Sequence, residues 1–160
     1  MPKIQRALIS VTDKRDIALH IVGQLRDGND PVELAEEFAK NLEAQRKQIE
    51  AAIDAELKLD HNDAADVQDK QALKELRLAH TAAAIRRAIL DYLFLWETWY
   101  RDEMVFAATA NESKILNRDC LDRFRERVST APDQKIAAVE KARYYLDRFV
   151  NEERVFRELF

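Results

Sequence analysis

The 160-residue sequence has few residues that interrupt regular structure, with two glycines and three prolines in total. So few turn-forming residues argue against a β-rich or loop-rich protein. Because the glycines stand only at positions 23 and 28, the sequence holds neither a phosphate-binding glycine loop nor the glycine-flanked elbow of a nucleophilic serine. The single cysteine, Cys120, excludes an internal disulfide framework and fits a reducing compartment.

The sequence also lacks long apolar runs. No uninterrupted run reaches the length of a membrane span, and the N-terminus lacks the apolar core of a signal peptide. We therefore expect a cytoplasmic protein that makes no membrane contact. The net charge is −4, and residues 30–79 carry seven basic against thirteen acidic side chains. This acidic excess argues against a broad nucleic-acid-binding face on that part of the chain.

Hydrophobic residues make up 47% of the sequence and charged residues 35%, which is typical of a soluble helical domain with a real core. The segment Ala88–Tyr100 is apolar almost all the way round a helix. The polar positions that fall near one line, and so leave a single narrow stripe for water, are Arg87, Asp91, Thr98 and Asp102. Because such a helix must be packed by others on most of its circumference, we expect it to be central.

These patterns predict a single all-α domain, a bundle of about five to seven helices around this aromatic-rich long helix. The expected parts of the domain over residues 1–160 are an N-terminal helical segment (1–28), two long helices (30–58 and 67–110) and C-terminal helices (117–160). Asp30 and Pro31 supply an N-cap and a proline at the first helical position of one long helix.

Other segments have less definite patterns. Residues 4–11 are ambiguous between helix and strand, and residues 59–66 are predicted to form an exposed acidic loop. A helix over 67–110 would be long for this domain, so we expect either a bend near His80-Thr81 or a protruding end.

The C-terminal part contains several boundary signals. Asn117 or Asp119 is placed to cap a helix through Val128, and Pro132 lies in the first turn of another that reaches about Phe149. Residues 151–160 form either a last short helix or a continuation of that one.

We predict no catalytic, cofactor-binding or metal-binding residues. His20, His61 and His80 are scattered, and Asp60-His61-Asn62-Asp63 is better interpreted as a solvated acidic loop than as a cation site. Cys120 lies near a predicted helix start, which favours a thiolate, but an ordinary packed cysteine is the better interpretation. Glu97 and Asp102, near the two tryptophans, are the only candidates for an interior polar site.

Four arginines near the C-terminal third alternate with acidic residues: Arg118, Arg123, Arg125 and Arg127. This mixture favours a salt-bridged surface over a nucleic-acid patch. We therefore expect no direct nucleic-acid binding.

Three groups of residues follow one another over residues 84–160: Leu95-x-x-x-Trp99-Tyr100-Arg101-Asp102, Ile115-x-Asn117-x-Asp119, and Ala142-x-x-x-Leu146 with Asn151. The series resembles the C-terminal collar domain of the delta prime subunit of the bacterial DNA polymerase III clamp loader. In that family a long helix ends in an aromatic segment closing on Arg-Asp. An Asn-x-Asp turn follows, and then two helices and an asparagine-containing C-terminal helix. The segment from Asp30-Pro31 to Glu36 is similar to an earlier helix of that domain.

The resemblance implies a non-catalytic oligomerisation domain that supports DNA replication by packing its helix faces against other clamp-loader subunits. The interface candidates are then Trp96, Trp99, Tyr100, Arg101 and Asn117. The family's preceding ATPase-like module is not in this sequence, so we expect an excised fragment or a relative reduced to the collar. Phe149 and Arg154 depart from the family's terminal-helix pattern. Two alternatives stay open: a generic helical scaffold or regulatory protein, and a small helical-bundle enzyme or cofactor carrier.

Overall fold

A computed structural model of the chain describes residues 11–60, 67–148 and 151–160. This part of the chain contains no strand, which confirms the predicted all-α class. Its α-helices are α1 (Val11–Arg26), α2 (Pro31–Asp60), α3 (Val67–Thr109), α4 (Leu121–Glu126), α5 (Pro132–Asp147) and α6 (Glu152–Leu159). Two short 3₁₀ helices, Glu112–Lys114 and Arg118–Cys120, lie between α3 and α4.

Helix α3 is the longest element, with 43 residues, or about 65 Å at 1.5 Å per residue. It contacts α1, α2 and α5, while α6 packs on α5 and α2. One hydrophobic core draws residues from all six helices, and its largest fully buried side chains on α3 are Tyr92, Trp96 and Trp99. None of the helices in the described residues combines the length and apolar character needed to cross a bilayer.

The first turns of α3 extend beyond the core. Most residues between 70 and 80 are exposed, and the helix continues through His80 and Thr81 without a break. Helix α2 runs alongside, where Arg77 pairs with Asp54 at 3.2 Å. Of the two alternatives for this long helix, the structure thus has the protruding end.

The helix boundaries follow local capping chemistry. Asp30 Oδ1 accepts a hydrogen bond from Val32 N at 2.9 Å, and Pro31 begins α2. Helix α2 ends at Asp60, so the predicted loop starts later than Leu59. The remainder of that loop, 61–66, and the ambiguous residues 4–10 lie outside the described residues.

The C-terminal helices are shorter than expected. Helix α4 ends at Glu126 and not at Val128, and α5 ends at Asp147. Asn151 then caps a separate last helix, because its Oδ1 accepts from Arg154 N at 3.2 Å. The last segment is therefore a short helix of its own.

Two alanines occupy left-handed backbone conformations in this glycine-poor chain. Ala110, just after α3, and Ala131, just before α5, both have φ 50°. The left-handed region costs a residue with a Cβ about 1–2 kcal/mol, which is why glycine usually takes such positions. The backbone is therefore strained at the start of the connection after α3 and at the end of the connection before α5.

Candidate functional site

The aromatic interface candidates are core residues. Trp96, Trp99 and Tyr100 are all buried. The Trp96 indole N–H donates to Ala18 O at 3.2 Å, and the ring packs on Phe38 with centroids 5.1 Å apart. This burial leaves the three rings almost no surface to offer a partner.

The two polar candidates, Arg101 and Asn117, meet at Asp102. The Asp102 carboxylate is fully buried and accepts from the backbone N–H groups of Leu116 (3.0 Å) and Asn117 (2.7 Å). It also accepts from Asn117 Nδ2 at 2.9 Å and from Arg101 Nη1 at 2.7 Å. Arg101 Nη1 lies 2.7 Å from Lys114 O as well. One carboxylate therefore fixes the loop that follows α3 against the helix.

Arg15 of α1 extends this arrangement from the other side. Its Nη2 donates to Asn117 Oδ1 at 3.3 Å and to Asp119 Oδ1 at 2.8 Å. The hydrogen bond from Arg15 lowers the pKa of Asp119 below its ordinary value. Asn117 stands at the N-cap position of the following 3₁₀ helix, yet its side chain makes no cap hydrogen bond. The predicted capping role was wrong because Asp102 and Arg15 occupy both ends of its amide. We call Arg15, Arg101, Asp102, Asn117 and Asp119 the Asp102 cluster.

The predicted water-facing stripe of α3 was wrong at Asp102, because the 115–117 loop covers that carboxylate. The stripe also includes an apolar residue, Phe94, which is 61% exposed. Phe94 lies seven residues before Arg101, which is two helical turns or about 10 Å. On the loop bonded to Asp102, Leu116 is 64% exposed. Phe94 of α3 and Leu116 of this loop are thus two exposed apolar side chains, and we refer to them together as the Phe94–Leu116 surface.

A second buried carboxyl, Glu103, immediately follows Asp102 and is also fully buried. Its Oε1 accepts from Ser129 Oγ at 3.0 Å, whereas its Oε2 has no hydrogen-bond partner. The Trp99 indole N–H, one turn earlier, approaches the carboxyl without reaching hydrogen-bond geometry. Burial raises the pKa of Glu103, and the Ser129 hydrogen bonds and the charge of Arg26 oppose that rise. Arg26, Trp99, Glu103 and Ser129 form the Glu103 cluster.

The remaining chemical candidates are engaged in structural contacts. Glu97 forms an ion pair with Arg143 at 2.6 Å, so it and Asp102 both have protein partners. Cys120 is buried, and this burial raises the pKa of its thiol, contrary to the activation that its position near a helix start favours. At the surface, His20 Nε2 lies 3.6 Å from Glu37 Oε1. In the described ranges, no three His, Cys, Asp or Glu side chains are grouped as metal ligands. Asp60-His61-Asn62-Asp63 falls largely outside them.

The arginine-rich segment is partly neutralised within the chain. Arg125 pairs with Asp122, one of the interleaved acids, and also with Glu112. Arg118 donates to two backbone carbonyls, Ile115 O at 3.4 Å and Ser113 O at 3.1 Å. Arg123 and Arg127 are exposed.

Two residues of these sites, Phe94 and Glu103, were not predicted from the sequence, although their helical spacing shows which side of α3 each occupies. Phe94 lies seven residues from both Arg87 and Arg101 and so belongs to the polar side of α3. Glu103 lies four residues after Trp99 and seven after Trp96, which places it on the buried face. Nothing in the sequence brings Arg26 or Ser129 to Glu103, because those contacts depend on tertiary packing.

No protein-family model, curated protein or solved structure matches this chain. The resemblance to the clamp-loader collar therefore stays a prediction that rests on the residue series in the sequence.

Proposed function

We propose that this chain is a non-catalytic helical interaction module, a collar-like domain that joins a DNA polymerase III clamp-loader subunit to its neighbours. It would support DNA replication through subunit assembly. The partner surface would be the Phe94–Leu116 surface and not the aromatic rings of the core. Arg101, which is half-buried and bonded to Lys114 O of the loop, would contribute its polar part.

The observation that carries the proposal is the way in which Leu116 is held. Burying a carboxylate costs several kcal/mol unless its oxygens are fully hydrogen-bonded. The chain buries Asp102 completely and directs its oxygens to the backbone N–H groups of Leu116 and Asn117. The result is an exposed leucine on a rigid loop, and a preorganised apolar side chain binds a partner at a low entropic cost.

The residue series that resembles the collar supports the narrower assignment. Its Arg-Asp and Asn-x-Asp elements lie on different segments of the chain and come together in the Asp102 cluster. Ile115 and Leu146 are core residues, and Asn151 caps the last helix. Every quoted element of the series thus has a defined structural role here.

Mixing the chain with clamp-loader ATPase subunits tests the proposal by analytical ultracentrifugation. We expect a hetero-oligomer that the double variant Phe94→Ser/Leu116→Ser weakens roughly tenfold or more, the loss expected for removing apolar anchors. The matched control is Val32→Ser/Leu78→Ser, which removes residues of similar exposure, 54% and 57%, elsewhere on the chain. The control should bind as the wild type does.

Two outcomes contradict the proposal in different ways. If the chain stays monomeric with every clamp-loader subunit, the collar assignment is wrong. If both double variants weaken assembly equally, the partner does not use the Phe94–Leu116 surface.

A role in replication does not require this domain to contact DNA. Binding by counterion release needs several unopposed cations on one surface, and here Arg125 is paired with two acids. We expect at most weak binding that disappears by physiological salt, as measured by fluorescence anisotropy across a salt series. Submicromolar affinity at about 150 mM salt with a steep salt slope would overturn this expectation.

A further inference from the structure

The Glu103 cluster combines buried polar groups that lack partners. Glu103 Oε2, Trp99 Nε1 and Arg26 Nε are all buried without a hydrogen bond, and the nearest ion-pair partner of Arg26 Nε, Asp27 Oδ1, is 3.9 Å away. Unpartnered buried polar groups are rare in folded proteins, because each has lost its hydrogen bonds to water on burial. These three atoms, one of them an oxygen of the Glu103 carboxyl itself, belong to one cluster. Their burial here lowers the stability of the folded chain.

The element that covers this carboxyl is the connection between α4 and α5, residues 127–131. Ser129 Oγ bonds it to Glu103, and Arg26 Nη1 donates to Arg127 O at 3.4 Å and to Arg123 O, at the end of α4, at 3.2 Å. The connection ends in Ala131, whose left-handed backbone is strained. Helix α3 itself is fixed by α1, α2 and α5. The connection is therefore the part that can move away from Glu103 most easily.

The charged and titratable groups that face Glu103 come from two elements. Arg26 of α1 favours the ionised carboxyl, but it is partly compensated by Asp27. Tyr100 on α3 itself is buried beside it, and its own pKa is raised by burial and by the charge of Glu103. From the connection, the contact is the Ser129 hydroxyl. The Phe124 ring of α4 packs on Trp99, with centroids 4.6 Å apart. Burial outweighs the favourable groups, so the pKa of Glu103 in the folded chain lies above its ordinary value.

We propose that Glu103 and Ser129 form a proton-dependent latch, closed while Glu103 is protonated and opening the 127–131 connection when the carboxyl ionises. An ionised carboxylate with one unpartnered oxygen needs water, and displacement of the connection admits it. This property is independent of the partner that the Phe94–Leu116 surface binds.

The sign of the pH dependence follows from proton binding. The closed state has the raised pKa, whereas the opened state exposes Glu103 and returns it towards the ordinary value of about 4.3. At pH values between these two pKa values, opening releases a proton. The equilibrium constant for opening therefore rises by up to about tenfold per pH unit in that range. Above the raised pKa both states are ionised, and the dependence levels off.

Amide hydrogen exchange of Ser129, whose backbone N–H bonds to the Glu103 carboxyl, tests the latch across the pH range once corrected for the intrinsic rate. We expect protection in the wild type to fall as the pH rises above the ordinary glutamate value. In Glu103→Gln, a neutral isostere, protection should stay constant. Glu97→Gln is the matched control, because it removes a carboxyl from the same helix that is half-exposed and paired with Arg143. That control should keep the wild-type pH profile.

A carbon-13 titration of the Glu103 carboxyl supplies the second measurement and does not depend on variant stability. The latch predicts a midpoint above the ordinary glutamate value that coincides with the end of the change in protection. An ordinary midpoint would overturn the proposal, as would equal loss of protection in the wild type and Glu103→Gln.

Discussion

Asp102 and Glu103 are adjacent in the chain and both are fully buried, yet their surroundings are opposite. Asp102 accepts hydrogen bonds from two backbone N–H groups and two side chains. Glu103 accepts hydrogen bonds from Ser129 alone, and its second oxygen has none. The difference arises because successive helical residues point about 100° apart. Asp102 meets the loop that follows α3, whereas Glu103 enters the contact between α1 and the α4–α5 connection.

The comparison shows that burial alone does not define the role of a carboxyl group. A fully bonded carboxylate fixes the surrounding backbone and presents Leu116 rigidly. A buried carboxyl with an unpartnered oxygen has a raised pKa, and this makes its surroundings sensitive to pH. Replacing each carboxyl by its amide should therefore have opposite effects on stability.

The two buried tryptophans also differ in whether their buried polar group has a hydrogen-bond partner. Their substitution is expected to have the largest effects on stability. Trp96→Ala and Trp99→Ala should each lower the free energy of unfolding by about 3–5 kcal/mol, the usual cost of emptying a buried aromatic site. Denaturant melts measure both. The contrast appears in the phenylalanine variants: Trp96→Phe also breaks the hydrogen bond to Ala18 O, whereas the Trp99 indole N–H has no partner to lose. Trp96→Phe should be the more costly by about 1 kcal/mol.

If both alanine variants cost less than about 1 kcal/mol, the rings would lie at the surface and become interface candidates again. Equal costs for the two phenylalanine variants would mean that the indole hydrogen bonds do not distinguish these sites.

Much of the fold was predictable because local signals determine helix boundaries. Asp30 with Pro31 begins α2, Pro132 begins α5, and Asn151 begins α6 through capping chemistry written in the sequence. The apolar periodicity of α3 likewise predicted its length.

The sites were less predictable because they join segments that the sequence keeps apart. Asp102 looked like part of a water-facing line, and only the return of the 115–117 loop buries it. The rings of Trp96 and Trp99 were plausible interface residues until their packing was known. Glu103 could be placed on the buried face by spacing, but its incomplete hydrogen bonding depends on the positions of Arg26 and Ser129.

Asp102→Asn should lower the free energy of unfolding by about 2–4 kcal/mol. An amide keeps one acceptor oxygen and turns an NH₂ group towards the N–H donors of Leu116 and Asn117, which leaves buried donors without partners. Urea unfolding measures the change, and amide exchange should show reduced protection at residues 115–117. The control Asp122→Asn removes an exposed carboxylate and should cost little. A small cost for Asp102→Asn with unchanged loop protection would contradict the role assigned to the Asp102 cluster.

Glu103→Gln should have the smallest effect and the opposite sign. Folding raises the pKa of Glu103, so the stability linked to its proton is fully present below the unfolded value of about 4.3 and is lost as the pH rises through the folded value. Each unit of that difference corresponds to about 1.4 kcal/mol, and glutamine, which does not ionise, escapes the loss. The variant should therefore match the wild type in acid and become the more stable protein as the pH rises. Urea unfolding of both proteins at several pH values measures the divergence, with Glu97→Gln as the control that should run parallel to the wild type. A Glu103→Gln variant that is destabilised equally at every pH would mean that the carboxyl is bonded as completely as that of Asp102.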